Sequence, residues 1–477
     1  MVRSKYFAGL SGLLKTATLE NPNLVGQILE LNPQEETDAL IEKLEDSSKI
    51  SKYSRIRYVG DRCLVCNWSE IDKVDDKEIP WKDNGVYLIS GGAGGLGLIF
   101  AEEIVQKVKG AVLVLTGRST LTSEKSGRLK GLEINGNKII YKQVDVSDKV
   151  AVSILVKEML DTYGTINGII HSAGIVKDNF IVKKPKEEFW EVLAPKVAGV
   201  VNLDLSTKDV ALDFFIIFSS GAAVVGNPGQ ADYSAANAFL DAYAEYREIL
   251  VDLDQRSGKT LSINWPLWEN GGMKVDEESE KLMMSRLGIT PMLTSTGINA
   301  LYRCISSGEV QVMVVEGLLK RMRQKLISSD ETSDVFPKTM TNSANRNNNE
   351  SESVHKKLSE GLVQIVCKVL KVQEKDIDNN SDLNDYGFDS ITWTEFANRL
   401  NQEYELDINP TLFFEYSTVN SLCDYLIKEF PSNFTYMTQQ QDLKAKEEKV
   451  DEETVPTTIN MAAKKKKQFK ICEAYYK

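Results

Sequence analysis

Two histidines, His171 and His355, are all that 477 residues provide. A His-built metal centre or a Ser-His-Asp triad has little material here, and no metal site is expected. Cysteine is scarce as well. Six in so long a chain exclude a disulfide scaffold and fit a reducing cytoplasm. Cys63 and Cys66 form one CxxC with no second pair to complete a zinc site, so CLVCNW reads as a strand with two small apolar residues. No apolar run approaches the roughly 18 residues of a membrane span. The short apolar stretch at the N-terminus is broken by Lys15 and lacks a clear small-residue cleavage site, so no signal peptide is expected. Basic residues are outnumbered, 57 Lys+Arg against 69 Asp+Glu, for a net charge of -12. That argues against a nucleic-acid binder, which would show a basic face.

What is present is a globular composition, 42% hydrophobic and 26% charged. The stretch SDETSDVFPKTMTNSANRNNNESESVHK is polar and Asn/Ser-rich. It marks a linker over residues 326–356 between a large front part and a small back part, 357–430. Residues 431–477, with the Lys464–Lys467 run, read as a solvated tail without fixed structure. The front part alternates short apolar runs with amphipathic stretches. VYLIS (86–90), AVLVLT (111–116), KIIYKQV (138–144), INGIIH (166–171), FFIIF (214–218), LSINW (261–265) and QVMVV (311–315) are apolar on both faces, as buried parallel strands are. LIFAEEIVQKV (98–108) and AVSILVKEMLDTYG (151–164) are helix candidates between them. This predicts an α/β, Rossmann-type doubly wound parallel sheet.

The first of these strands runs into SGGAGGLG. Gly92, Gly94 and Gly97 fit G-x-G-x-x-G, with Gly95 and Leu96 inside the motif and a helix predicted directly after it. Those glycines make a tight turn, let backbone approach a pyrophosphate and let helix pack on strand. The helix N-terminus then faces the phosphate. The next strand ends in Arg118 and Ser119 rather than in an acid, which suits the 2′-phosphate of NADPH and not the free ribose hydroxyl of NADH. Asp145 and Val146 end the third strand, where the adenine would lie. Ser172, Ala173 and Gly174 end the fourth, beside the cofactor, and His171 reads as structural.

The chemistry belongs at the carboxyl ends of the strands. Ser220 follows FFIIF, and Tyr233 comes 13 residues later. A tyrosine can protonate an alkoxide as hydride reaches a carbonyl if a nearby cation lowers its pKa. Many folds of this type place a lysine four residues after the tyrosine. Here that position is Asn237, and the candidate lysine is upstream in APKVAG, Lys196.

These motifs, with NWPLWENGGM (264–273), resemble the ketoreductase domains of modular polyketide synthases, members of the short-chain dehydrogenase/reductase superfamily. The resemblance covers roughly residues 20–320. It implies that Ser220 and Tyr233 bind and protonate a β-keto oxygen, while Lys196 and Asn237 orient the site and relay protons. It places the NADPH-binding catalytic domain at 81–325. Residues 1–80 resemble only the end of the structural subdomain that precedes such a reductase. In the back part, Leu358, Leu362, Ile365, Val366 and Val369 fall at helical spacing. GFDSI then sets Ser390 at a predicted helix start, with Phe388 and Asp389 before it. This resembles an acyl carrier protein, a small four-helix domain whose serine carries 4′-phosphopantetheine. The implied partners are a carrier-bound β-ketoacyl substrate, a phosphopantetheinyl transferase, and upstream and downstream synthase modules, with the acyltransferase acting in trans. A non-catalytic scaffold and a free-standing reductase of small ketones are the alternatives. In this family an LDD-like triplet after HSAG accompanies the D-hydroxy product. Here Val176, Lys177 and Asp178 keep only the final acid. The tryptophan of the opposite class, eight residues before the tyrosine, is replaced by Val225.

Overall fold

A computed structural model describes residues 7–326 apart from 22, 51–52, 61, 72–78, 274, 276–279, 281–282 and 285–287. It also describes 348–435 apart from 371, 389, 405, 407, 409 and 411, and residues 470–476. The chain divides into two compact units, Met1–Glu331 with Gln468–Lys477, and Thr332–Lys467.

The first unit is built on a sheet whose central part is parallel. Strands β4 (Val86–Ser90), β5 (Val112–Gly117), β6 (Lys138–Gln143), β7 (Gly168–His171), β8 (Phe214–Ser220), β9 (Lys259–Trp265) and β10 (Gln311–Val315) lie in the order β6-β5-β4-β7-β8-β9-β10. Every neighbouring pair among them is parallel. All seven strands coincide with apolar runs read from the sequence. β4 and β7 are buried along their whole length, because helices cover both faces. Helix α3 (Gly95–Lys107) packs on one core cluster. On the other are α5 (Lys149–Tyr163), α6 (Lys186–Ser206) and α8 (Ala231–Asp252). α4 (Ser123–Lys130) and α7 (Gly221–Val225) are shorter. Chain direction through the sheet reverses between β4 and β7. A crevice opens at the carboxyl ends of such a pair, where ligands bind in open α/β sheets.

The N-terminal segment adds α1 (Leu10–Glu20), β1 (Ile28–Glu30), α2 (Thr37–Ser48), β2 (Arg55–Val59) and β3 (Arg62–Glu70). β2 and β3 pair antiparallel across Gly60, whose φ is +60°. Helix α1 lies directly on α8. A Cβ built at Gly12 would stand 2.2 Å from the Ser234 carbonyl oxygen, so only glycine permits that approach.

The linker and tail boundaries need correction. A helix, Asn348–Leu370, begins inside the stretch expected to be linker. Residues 327–347 lie outside the described residues. In the expected tail, Pro431–Thr435 is helical, with proline at the first helical position. Lys470–Tyr476 forms strand β11, antiparallel to both β10 and β3. Its KICEAYY sequence has the aromatic and β-branched content of a strand. The Lys464–Lys467 run lies outside the described residues.

Among the described residues the second unit is helical, without strands. Helices Asn348–Leu370, Ser390–Glu403 and Val419–Glu429 enclose one core. Leu358, Leu362, Ile365, Val366 and Val369 are buried in it, as their spacing predicts. Among the described residues no helix is long and apolar enough to cross a membrane.

Candidate active site and carrier serine

The glycine turn follows β4. Gly91 has φ +66°, and a Cβ there would stand 2.8 Å from Ala173 Cα. It is the residue that turns the chain, and the G-x-G-x-x-G register starting at Gly92 passes over it. Gly92 packs on Leu115, Gly95 meets the Gly271 carbonyl, and Leu96 is half-buried against the core. A Cβ at Gly97 would stand 2.5 Å from the Gly91 oxygen, which locks helix α3 against its strand. A Cβ at Gly94 would meet only the Gly91 oxygen, leaving the front of the turn open. No side chain caps α3, so its first N–H groups remain available to an anion. This cradle fits a dinucleotide diphosphate.

The other cofactor-side residues surround that turn. Arg118 and Ser119 are exposed past the end of β5. Their carbonyls are fixed by Gln143 Nε2 at 3.0 Å and the Tyr141 hydroxyl at 2.6 Å. Among the described residues no carboxylate forms an ion pair with Arg118. Its guanidinium is therefore available to a phosphate. Asp145 accepts both the backbone N–H and the hydroxyl of Ser147, and Val146 is buried. Ser172 donates to the Ser90 carbonyl at 2.6 Å. Gly174 is exposed and lies over the Lys196 side chain. His171 shares a 2.7 Å hydrogen bond with Ser90 and is fully buried. Burial and the Lys196 charge push its pKa down to about 3, so the imidazole stays neutral.

Ser220 ends β8 and caps α7, its Oγ accepting the Ala222 N–H at 3.2 Å. The cap uses a lone pair and leaves the O–H free to donate. Tyr233 lies in the first turn of α8. Burial pushes its phenol up, while the Ser220 and Asn237 side chains beside it pull the other way. The net direction is upward, so the lowering expected from a nearby cation is not seen at this phenol, which stays protonated. Lys196 follows Pro195 in α6 and is 4% exposed. Its Nζ donates to the Phe218 carbonyl at 3.1 Å and stands 5.4 Å from the Tyr233 ring centre. Burial lowers this lysine to about 8. Asn237 donates from Nδ2 to the Tyr233 carbonyl at 2.7 Å. Among the described residues its buried Oδ1 has no partner, an acceptor of the kind that structures seldom leave idle. Three elements thus bring Lys196, Ser220, Tyr233 and Asn237 together.

Asp178 accepts from Gln230 Nε2 at 2.9 Å, tying the loop after β7 to the segment before Tyr233. Sequence reading did not find the anchors beneath the site. Asn264 Nδ2 reaches the Ser219 hydroxyl, the Ser220 carbonyl and Asp241. Lys184 and Asp232 form a buried 2.7 Å ion pair.

In the helical unit, Ser390 is the first residue of its helix. Phe388 is 6% exposed and stacks on Trp393 with ring centres 3.9 Å apart. That stack fixes Phe388, two residues before the serine. Gly387, at φ +93°, turns it in. Asp389 and the Ser390 and Ile391 side chains lie outside the described residues.

Residues 85–270 match the family described as KR domain, and residues 360–426 the phosphopantetheine attachment site. The chain is 46% identical over 443 residues to polyketide synthase PksN of Bacillus subtilis (strain 168), covering 91% of this chain and 8% of that protein. It is 43% identical over 429 residues to polyketide synthase PksL of the same organism, covering 88% of this chain and 9% of that protein. The chain thus spans under a tenth of the length of these two relatives. Among solved structures, a ketoreductase domain from the bacillaene assembly line superposes with TM-score 0.66 at 49% identity, over 68% of this chain and 77% of that one. Its agreement with the first unit, and the attachment-site match in the second, settle the affiliation: the chain belongs to the polyketide synthases, as a ketoreductase domain of nicotinamide-dependent type joined to a phosphopantetheine carrier domain.

Proposed function

We propose that this chain reduces a β-ketoacyl thioester to the β-hydroxyacyl thioester with NADPH, the acyl chain being held on phosphopantetheine at Ser390. The observation that carries the reading is the convergence of Lys196, Ser220 and Tyr233 at the carboxyl end of β8, with Lys196 Nζ 5.4 Å from the phenol ring. The glycine turn at 91–97 and the Arg118 guanidinium hold the cofactor. NADPH, when bound, supplies the hydride to the carbonyl carbon. The Ser220 hydroxyl donates a hydrogen bond to the ketone oxygen. Tyr233 passes its proton to that oxygen as negative charge develops there. The Lys196 ammonium stabilises the resulting phenolate, and the open Oδ1 of Asn237 holds a proton donor that restores the phenol.

Asp178 and the absence of tryptophan at Val225 support the D-hydroxy product. The proposed partners are a phosphopantetheinyl transferase that modifies Ser390, neighbouring synthase modules, and an acyltransferase acting in trans. The test is intact mass of the full chain, phosphopantetheinylated and loaded with a 3-ketoacyl group. With NADPH the mass rises by two hydrogens. An unchanged mass under conditions where NADPH binding is measured would favour a scaffold instead.

A further inference from the structure

Helix α1 lies outside residues 85–270, the part that matches the reductase family. Its last residue nevertheless reaches the segments next to the catalytic tyrosine. The Glu20 carboxylate accepts the Gly229 N–H through Oε1 at 2.8 Å and the Ile181 N–H through Oε2 at 2.8 Å. Gly229 stands four residues before Tyr233, and Ile181 three residues after Asp178. The same two segments are joined by Asn179 N to the Gly229 carbonyl at 2.9 Å, by Gln230 to Asp178, and by the buried Lys184–Asp232 pair. Thr16, one turn earlier on α1, accepts the Asn227 N–H at 3.2 Å and donates to Ser234 Oγ at 3.1 Å.

An acid is a costly choice at this position. Glu20 is 4% exposed and sits at the negative end of its helix. Burial pushes its carboxyl above the ordinary range, against the pull of the two N–H groups and of Lys184. An apolar residue would fill the space without that cost. What only a carboxylate supplies is two acceptor oxygens aimed at two donors on different segments.

We infer that Glu20 is a positioning residue that clamps the 179–181 and 227–230 segments together beside Tyr233, and so fixes the side from which the thioester enters and the face of the ketone that is reduced. The inference rests on the reduction proposed above. Its first test is independent of turnover. Glu20→Gln keeps the shape but turns an NH₂ group toward one of the two N–H donors. Amide exchange in peptides covering 176–185 and 226–231 should then quicken roughly tenfold, the scale of a buried charged hydrogen bond. NADPH binding, read by fluorescence quenching, should stay as in wild type. The D-to-L product ratio from a carrier-bound 3-ketoacyl chain should fall by a similar factor, with KM for that substrate raised more than kcat is lowered. Glu20→Asp, which keeps the charge but cannot span both donors, should fall between the two.

A folded Glu20→Gln variant with unaltered exchange and unaltered product ratio overturns the inference alone. So does a parallel loss of cofactor affinity and kcat, which marks a general packing defect. A wild-type chain that binds NADPH yet leaves the tethered ketone intact overturns the reduction itself, and the role of Glu20 with it.

Discussion

At the residue scale the proposed reaction turns on Tyr233. The phenol is held protonated by burial, so reduction starts from the correct form. Tyr233→Phe keeps the ring and removes the acid. Turnover should fall by about 10²- to 10⁴-fold, the usual worth of a general acid, with NADPH binding unchanged. Activity near wild type would assign the proton to another donor. Lys196 adds a pH signature. Its pKa is lowered by burial from 10.5 to about 8, so if the ammonium supports the phenolate as proposed, that support is lost as pH rises through about 8, and kcat should fall there. Stability moves the other way. Between about 8 and 10.5 the unfolded chain holds this proton and the folded chain does not, so unfolding free energy rises with pH across that window. Rate profiles and melts of wild type against Lys196→Met separate the two trends. A rate that stays flat to pH 10 would remove Lys196 from the charge balance. Arg118 gives the cofactor test. Arg118→Ala should weaken NADPH by roughly tenfold or more, the worth of a charge-assisted hydrogen bond, and leave NADH nearly untouched. Equal losses would put the 2′-phosphate elsewhere.

Elements were legible where their residues face only one environment. The runs around β4, β7 and β8 are apolar on both faces because helices cover both sides of the sheet. That pattern is local and can be read without knowing the fold. Ser220, Tyr233, Lys196 and Asn237 could be singled out only through the motifs that resemble ketoreductases, and the structure brings them together. The clamp from α1 was not legible. Glu20 meets partners 161 and 209 residues away, and a glutamate ending a helix looks like any solvated acid. Gly91 escaped for the opposite reason. Too many glycines stand side by side in SGGAGGLG for sequence to say which one turns. The packing of α1 on α8 yields a test at this scale. At Gly12 an added Cβ would stand 2.2 Å from backbone oxygen, which cannot rotate away. Gly12→Val should cost about 1–3 kcal/mol by overpacking. It should also loosen the Ser234 end of the catalytic helix, read as a lower melting point together with a lower kcat. A variant as stable as wild type would mean that α1 moves freely on α8.

The whole molecule joins a reductase to a carrier on one chain, and the value of that arrangement lies in concentration. On the reaction proposed above, a thioester held on Ser390 would be an intramolecular substrate for the reductase, at an effective concentration on the order of millimolar where the connection spans the distance. No new contact is required for the gain. Phe388 and Trp393 hold the start of the carrier helix in place, so replacing the serine next to them should remove the attachment point and leave the fold. Ser390→Ala should therefore keep the melting profile and NADPH binding, gain no mass on incubation with a phosphopantetheinyl transferase and coenzyme A, and lose reduction of the chain-borne substrate. Reduction of the same ketone supplied as a small free thioester should persist in the variant at the wild-type rate, limited only by its added concentration. This pairing separates the two units in one experiment. Loss of both reactions would mean that the substitution damaged the reductase, and a mass gain in the variant would place the arm on another residue.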